Sequence, residues 1–416
     1  MAARRPPAHH PPAFLNLFAG AGVAQVGEDF TDRAAERKAI AQALRTPGGH
    51  LLLVGPRRIG KTSLLRAVQA DLARARGVAV LYLDLWSAST IEDMTTRLAA
   101  ESAAVLGRRL GDIIKELAHR LQFRLEVTAL PDGTLIPVPA LAFRDASLDQ
   151  QRARLVTALD TLNAQAKRHG IHLGVILDEF QEIERLGRGS DEAPSVSAVR
   201  QLRAAIQHHR HVSYVFAGSD RALIDRLSAP ADGPLHNLAR RYEIGPIDES
   251  HLAAWMEDRF AAMGIAARDC GRPIIALAGP RTRDVRTLAE SAADLAHPRG
   301  VVTPAELGAA LQRVVRERRP QYEYAWKALT ALQQNCLRAL AAGERRLTTA
   351  AVLERFSLGD SSRTSKALAG LAGESILVRD EHSYTFDDPF FRAWVIEAAL
   401  PDVGLTLPIT HLPATA

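Results

Sequence analysis

Residues 55–62 read Gly-Pro-Arg-Arg-Ile-Gly-Lys-Thr, a complete GxxxxGK[ST] loop, and they constrain the fold more than any other stretch of the chain. His50-Leu51-Leu52-Leu53-Val54 precedes the loop as a short apolar run of the kind buried in a parallel sheet, and Ser63-Leu64-Leu65-Arg66-Ala67-Val68 follows it with helical patterning. Gly55 and Gly60 let successive backbone N–H groups face one point, and the helix opening near Lys61 adds its unpaired amides and positive dipole end. A phosphate group fits such a nest. The expected phosphate-binding set is Gly55, Pro56, Arg57, Arg58, Ile59, Gly60, Lys61, Thr62 and Ser63, with Lys61 reaching the β- and γ-phosphates and the Thr62 hydroxyl ligating Mg²⁺.

A second motif lies about 120 residues downstream. Val175-Ile176-Leu177-Asp178-Glu179 is an apolar strand ending in two carboxylates, the Walker B pattern. Asp178 is expected to hold Mg²⁺ through water and Glu179 to act as general base toward an attacking water. No Asn-Lys-x-Asp guanine-reading motif occurs in the chain, so ATP is the expected nucleotide.

Other polar residues fall at strand ends. Val212 to Ser219 reads as a strand beside the acidic one, which would turn Ser219 toward the γ-phosphate or leave it capping the next helix. Arg240 and Arg241 precede a strand expected over Tyr242–Gly245. In ring-forming ATPases that edge faces a neighbour's nucleotide, where an arginine neutralises developing charge, and a solvated basic pair is the competing reading. Arg283 and Arg286 lie in the helical region after the core; Arg286 is the candidate for reaching back to the γ-phosphate, against surface ion pairing. His208-His209-Arg210-His211 has no carboxylate or cysteine at a metal-ligand spacing and reads as structural.

Strands alternating with helices predict an α/β fold: a P-loop parallel sheet flanked by helices, followed by an all-helical lid and a C-terminal winged-helix domain. The expected organisation is an N-terminal arm (1–26) rich in Pro, Ala, Gly and His, a nucleotide-binding core (27–246), a helical lid (247–320), a winged helix (321–400) and a tail (401–416). Residues 123–147, with Pro131-Asp132-Gly133 and Pro137-Val138-Pro139, read as an extended excursion or hairpin. In the last domain Ser361-Ser362 start a helix carrying Arg363 and Lys366, and Ile376–Arg379 with Tyr384–Phe386 form a wing. Ser362, Arg363 and Lys366 are the candidates for the DNA major groove and Arg379 for a phosphate, although Asp360, Asp380 and Glu381 flank them.

Composition sets the remaining expectations. A net charge of +5 over 416 residues permits nucleic-acid contact without demanding it, and only six of the 52 basic residues are lysines. Cys270 and Cys336 stand far apart, as in a reduced cytoplasmic protein, and no stretch reaches membrane-spanning length.

These motifs resemble the AAA-type ATPases of the archaeal ATPase family, relatives of the STAND NTPases and more distantly of the Orc/Cdc6 initiators. The matching residues are Phe30 to Glu36, Gly55 to Leu65, Asp178 to Ile183, Ala217 to Ser219 and, near the end, Tyr384 to Trp394, so the resemblance spans about 27–396. It implies a Mg-ATP-binding and hydrolysing ATPase whose nucleotide state is passed to the winged helix, with Asp32 and Arg33 near the adenine. Double-stranded DNA, a regulatory protein or self-assembly are the candidate partners. The alternative it carries is a nucleotide-gated signalling or defence switch, with the winged helix as a protein-docking module. The lid departs from the pattern of many STAND relatives, with Gly279-Pro280-Arg281-Thr282-Arg283 where they carry a Gly-x-Pro turn.

Overall fold

The computed structural model describes residues 14–20, 24, 31–75, 77–106, 116, 119–120, 124–129, 135–140, 146–186, 196–228, 233–380 and 383–400. The chain divides into two compact units. One comprises residues 24–245, and the other joins residues 1–23 to residues 246–416.

The first unit is built on a five-stranded parallel sheet. Its strands are β1 (Leu51–Val54), β2 (Val78–Asp84), β5 (His172–Asp178), β6 (Val212–Gly218) and β7 (Arg240–Glu243), in spatial order β2-β5-β6-β1-β7. Leu51, Leu53, Val80, Tyr82, Ile176, Val215 and Ala217 pack on one face against α1 (Ala34–Arg45) and α2 (Lys61–Ala73). The alternate residues Leu52, Leu81, Leu83, Val175, Leu177, Tyr214 and Phe216 pack on the other, against α3 (Ile91–Leu106) and the helices Leu148–Arg168 and Val196–Ile206. Burial on both faces explains why these strands read as continuous apolar runs in the sequence. The expected excursion is an antiparallel hairpin of β3 (Arg124–Ala129) and β4 (Leu135–Ala140).

Because the sheet is parallel, every strand leaves at the same edge, and the order decides what meets there. β6 lies between β1 and β5, so the phosphate loop after β1 and the acids ending β5 flank the end of β6. The last strand differs from its expected range. β7 begins at Arg240, because Arg240 and Arg241 pair with Leu51 and Leu52 in the β1 register. The two arginines are therefore at the start of the strand, at the edge opposite the phosphate loop.

The second unit is helical, with a small wing. Helices Glu249–Ala262, Gly271–Ala278, Thr282–Ala296 and Pro304–Ala328 lead into Ala331–Ala341, Ala350–Arg355 and Ser361–Gly373, then the hairpin β8 (Leu377–Arg379) and β9 (Tyr384–Phe386), and the helix Pro389–Ala399. Helix Pro304–Ala328 runs unbroken through the expected lid border at 320, and lid and winged helix share one core. Tyr322, Trp326, Phe391 and Trp394 form an aromatic cluster within it, and Arg281 is bonded to Asp387 just past the wing.

The arm expectation meets a clear difference at residues 14–20. Phe18 is fully buried, its ring centroid 4.8 Å from that of Phe260, and Asn16 donates to the Glu290 carbonyl and the Asp294 carboxylate. Apart from residue 24, the rest of the arm and the tail 401–416 lie outside the described residues.

Beneath the sheet, His50 Nδ1 accepts the Tyr214 amide hydrogen at 3.2 Å, and His209 bridges the Tyr214 hydroxyl and Asp160. Burial, helped by the charges of His209 and Arg210, lowers His50 to about 4; burial also lowers His172 and His209. Unfolded histidines take up protons near 6.5 while these folded sites refuse them, so the unfolded state binds more protons between about pH 6.5 and 4. Stability is full above that window and falls as pH drops through it. From pH 7 to 5, His50 alone is expected to remove about 2 kcal/mol, lowering the melting temperature by roughly 4–8 °C. Thermal unfolding followed by circular dichroism at pH 7, 6 and 5 checks this, and a flat profile would contradict it.

Candidate nucleotide-binding site

The phosphate loop is held by backbone conformation and close packing. Gly60 caps α2 with φ of 95°, and Arg58 also has a left-handed φ of 65°, which a side chain tolerates only when its surroundings fix it. Gly55 is glycine for a packing reason: a Cβ there would lie 2.4 Å from the Ile244 side chain and 2.8 Å from its carbonyl. Ile59 is buried beneath the loop. Lys61 is 5% exposed, and its Nζ donates to the carbonyls of Gly55 and Pro56, both at 2.8 Å. The ammonium is thus fixed at the mouth of the nest, while Arg57 and Pro56 are exposed and Thr62 and Ser63 half-buried.

Thr62 Oγ1 donates to Asp178 Oδ2 at 2.7 Å, which joins the two motifs across β6. The same carboxylate oxygen accepts the Tyr82 hydroxyl at 2.6 Å. The Arg66 guanidinium lies 3.4 Å over the Tyr82 ring. Burial first, and then the adjacent Asp178 carboxylate, pushes the Tyr82 phenol far up, so it stays a donor. Tyr82 was not foreseen; its only sequence signal is a lone tyrosine within the aliphatic run Val78-Ala79-Val80-Leu81. Asp84, opposite Asp178 in the β2–β5 register, has its carboxyl raised by burial and by the charges of Asp178 and Glu179, against the Trp86 amide that lowers it. A hydroxyl and a carboxylate within 3 Å are hard oxygen donors of the kind Mg²⁺ takes, so the residues fit that ion.

Glu179 has a left-handed φ of 50°, and its N–H is accepted by Asp178 Oδ1 at 3.0 Å. Phe180, fully buried, pins the turn by donating its amide to Ala217. The Glu179 carboxylate accepts hydrogen bonds from Ser219 Oγ at 3.0 Å and from the Gln181 amide. Gln181 also bonds Ser219, through both its amide nitrogen and its oxygen. Ser219 is therefore at the acid, and the capping alternative falls to Asp220, whose carboxylate accepts the Leu223 amide hydrogen. Gln181 is a further member of the site; it stands two residues from Glu179, but sequence alone does not say that its side chain turns back.

The remaining candidates fall in other places. Arg33 is buried and donates to Glu36 and to the Gly245 carbonyl, next to the Ile244 that seats Gly55; Asp32 beside it is exposed. Arg241 is paired with Asp225 at 2.5 Å and Glu243 at 2.8 Å, and Arg240 is exposed at the opposite sheet edge, so neither joins this cluster. Asp225 and Glu243 engage Arg241 within the chain, whereas the expected finger role concerns a neighbouring copy's nucleotide. Arg286 is 3% exposed in its own unit, donating to the Phe18 and Ala19 carbonyls and lying against Trp255. Its guanidinium anchors the N-terminal segment within that unit. In the winged helix, Ser362, Arg363 and Lys366 share the exposed face of helix Ser361–Gly373, and Arg379 lies exposed in β8, 6.0 Å from the Tyr384 ring. Asp360, rather than Ser361, caps that helix, and it pairs with Arg363 at 3.4 Å.

Loop, acids and serine thus converge at one edge of one parallel sheet, the arrangement of the P-loop nucleotide-binding class. Within that class the chain belongs to the family described as an ATPase domain predominantly from Archaea, which matches residues 30–268, and residues 320–397 match a probable winged helix domain. The fold is shared with solved structures, among them these two. The Walker-type ATPase PABY2304 of Pyrococcus abyssi is 18% identical with a TM-score of 0.60, over 88% of this chain and 96% of that one. The ORC2 protein of Aeropyrum pernix, solved in ADPNP–ADP complexes, is 13% identical with a TM-score of 0.54, over 93% and 98%. The hemin import ATP-binding protein HmuV of Rhodopseudomonas palustris (strain BisA53) is 27% identical over 234 residues, 52% of this chain and 84% of its own. No helix among the described residues is long and apolar enough to cross a membrane.

Proposed function

We propose that the chain binds Mg-ATP at residues 55–63, hydrolyses it, and passes the nucleotide state to its winged helix. The observation that carries this reading is the pair of linked hydrogen-bond sets at one sheet edge, Thr62–Asp178–Tyr82 and Glu179–Ser219–Gln181. Thr62 and Asp178 are the groups suited to Mg²⁺, which when bound neutralises charge on the β- and γ-phosphate oxygens. Lys61 and the loop amides hold the phosphates. Glu179 takes the proton of the attacking water as the new P–O bond forms and ADP leaves, and Ser219 and Gln181 orient its carboxylate. Asp32 and Arg33 remain the candidates beside the adenine.

Double-stranded DNA is the proposed partner of the winged helix, through Ser362, Arg363, Lys366 and Arg379. A second reading has one specific support: Arg363 is paired with Asp360, which weakens the face as a phosphate contact and suits a protein-docking switch of the STAND kind, in the cytoplasm. Steady-state phosphate release with and without mixed-sequence duplex DNA separates the two. Stimulation by DNA that disappears in Arg363→Ala/Lys366→Ala supports the DNA-coupled ATPase. Slow turnover indifferent to DNA favours the switch, and no turnover under any condition overturns hydrolysis.

A further inference from the structure

The parallel topology that collects the nucleotide site at one sheet edge also collects the five strand starts at the other. Consider the six residues that end at the first residue of each strand, 46–51, 73–78, 167–172, 207–212 and 235–240. Across these thirty positions there is no Asp or Glu, where the chain average of 47 in 416 gives about three. They hold Arg74, Arg76, Lys167, Arg168, Arg210 and Arg240, and seven of the chain's 14 histidines, of which His50 and His209 are buried and add no surface charge. Arg45, closing α1, adds another cation beside β1. The opposite edge is mixed, with Asp84, Asp178, Glu179, Glu182, Glu184 and Asp220 beside Arg185, Arg221 and the basic phosphate loop.

Arg45, Arg74, Lys167, Arg168, Arg210 and Arg240 are all exposed. Carboxylates on neighbouring elements are engaged by other groups: Asp71 by Arg37, Asp160 by His209, Glu116 by Arg120, and Asp225 with Glu243 by Arg241. Between β1 and β7 the edge also holds a cleft of about 440 Å³ lined by Gln42, Ala43, Thr46, Gly48, Gly49, His50, Leu238 and Arg240, with Arg210 beside Gly48. Helix C-termini favour basic residues and account for Arg45, Arg74, Lys167 and Arg168. They also account for His169, the cap of Leu148–Arg168, but not for Arg210 or Arg240, which lie beyond the helix ends.

Apart from Ala43 and Leu238 within the cleft, the surface offers charge without large exposed apolar anchors. Among the described residues the exposed large hydrophobics are Leu15, Trp86, Tyr324 and Val378, and none leads into a sheet strand at this edge. Protein interfaces are anchored by buried aromatic residues and membrane binding by inserted apolar ones, so a partner recognised by charge alone fits better. Five strands span about 19 Å, along which duplex DNA carries about eleven charges. We propose that the N-terminal edge of the ATPase sheet is a docking surface for the phosphate backbone of duplex nucleic acid, separate from the winged helix and indifferent to sequence.

The test is the affinity of the full-length chain for a labelled 25-base-pair duplex of mixed sequence, measured by fluorescence anisotropy between 50 and 250 mM KCl. Lys167→Glu/Arg210→Glu is expected to weaken binding at 100 mM KCl at least about tenfold and to make the log–log salt slope shallower by about two, near 0.9 per lost contact. Lys167→Ala/Arg210→Ala, the gentler change, is expected to fall between, with ATP affinity and circular dichroism unchanged in both. A duplex of unrelated sequence is expected to compete equally. Absence of duplex binding by the parent, an unchanged slope in the edge variants, or loss confined to Arg363→Ala/Lys366→Ala would overturn the proposal. Co-sedimentation with phosphatidylserine vesicles, lost in the edge variants while duplex binding is retained, would assign the surface to a membrane and overturn it equally.

Discussion

Lys61→Met is expected to lower ATP affinity about a hundredfold. The side chain lies 5% exposed at the loop, with its ammonium held by the Gly55 and Pro56 carbonyls, so the charge is delivered where phosphate oxygens gather around the nest. A charge-assisted hydrogen bond of about 3 kcal/mol in such a setting corresponds to about two decades in dissociation constant. Methionine retains much of the apolar stem and removes the charge. The two carbonyls lose a donor, so a stability loss of about 1–3 kcal/mol is expected alongside. Isothermal titration with ATP on folded protein, verified by circular dichroism, separates the effects. An affinity within threefold of the parent would remove Lys61 from the phosphate site.

The second large effect is expected for Glu179→Gln. Turnover should fall by a factor of about 10² to 10⁴, the range removed with a positioned general base, while ATP binding stays within a few fold. Glutamine keeps the length of the side chain and an oxygen that can still accept from Ser219 and Gln181, so the turn at φ 50° has no new reason to rearrange. Single-turnover phosphate release beside equilibrium ATP binding reads the two quantities separately. Undiminished turnover would place the base elsewhere. A parallel loss of binding would mean that Glu179 supports the loop rather than the water.

What the sequence disclosed, it disclosed through local constraint. A glycine loop with a fixed lysine and threonine, and a buried strand ending in two acids, need only their own neighbours to be recognised, and the parallel sheet follows from strands apolar on both faces. Ser219 was legible because its strand had one sensible place, beside the acids. Tyr82 and Gln181 were not, because their contribution depends on where a side-chain tip arrives across the sheet. The arginines illustrate the same limit. Arg241 and Arg286 stand near promising segments, yet Asp225 with Glu243, and the Phe18 carbonyl, hold them in the folded chain. Phe18 itself lay hidden because a segment rich in proline and alanine suggests disorder, and its partner Phe260 is more than two hundred residues away.

That distance bears on how the molecule is made. A ribosome exposes Phe18 long before it delivers Phe260 and Arg286, and at about 5–20 residues per second the wait is roughly 10–50 s. During that time the whole nucleotide-binding unit is synthesised and can fold, with an unclaimed aromatic segment tethered at its front. The helical unit is therefore a late assembly that closes on the first residues of the chain. Trimming the chain at residue 24 would remove Phe18 from its core, however dispensable the N-terminus looks.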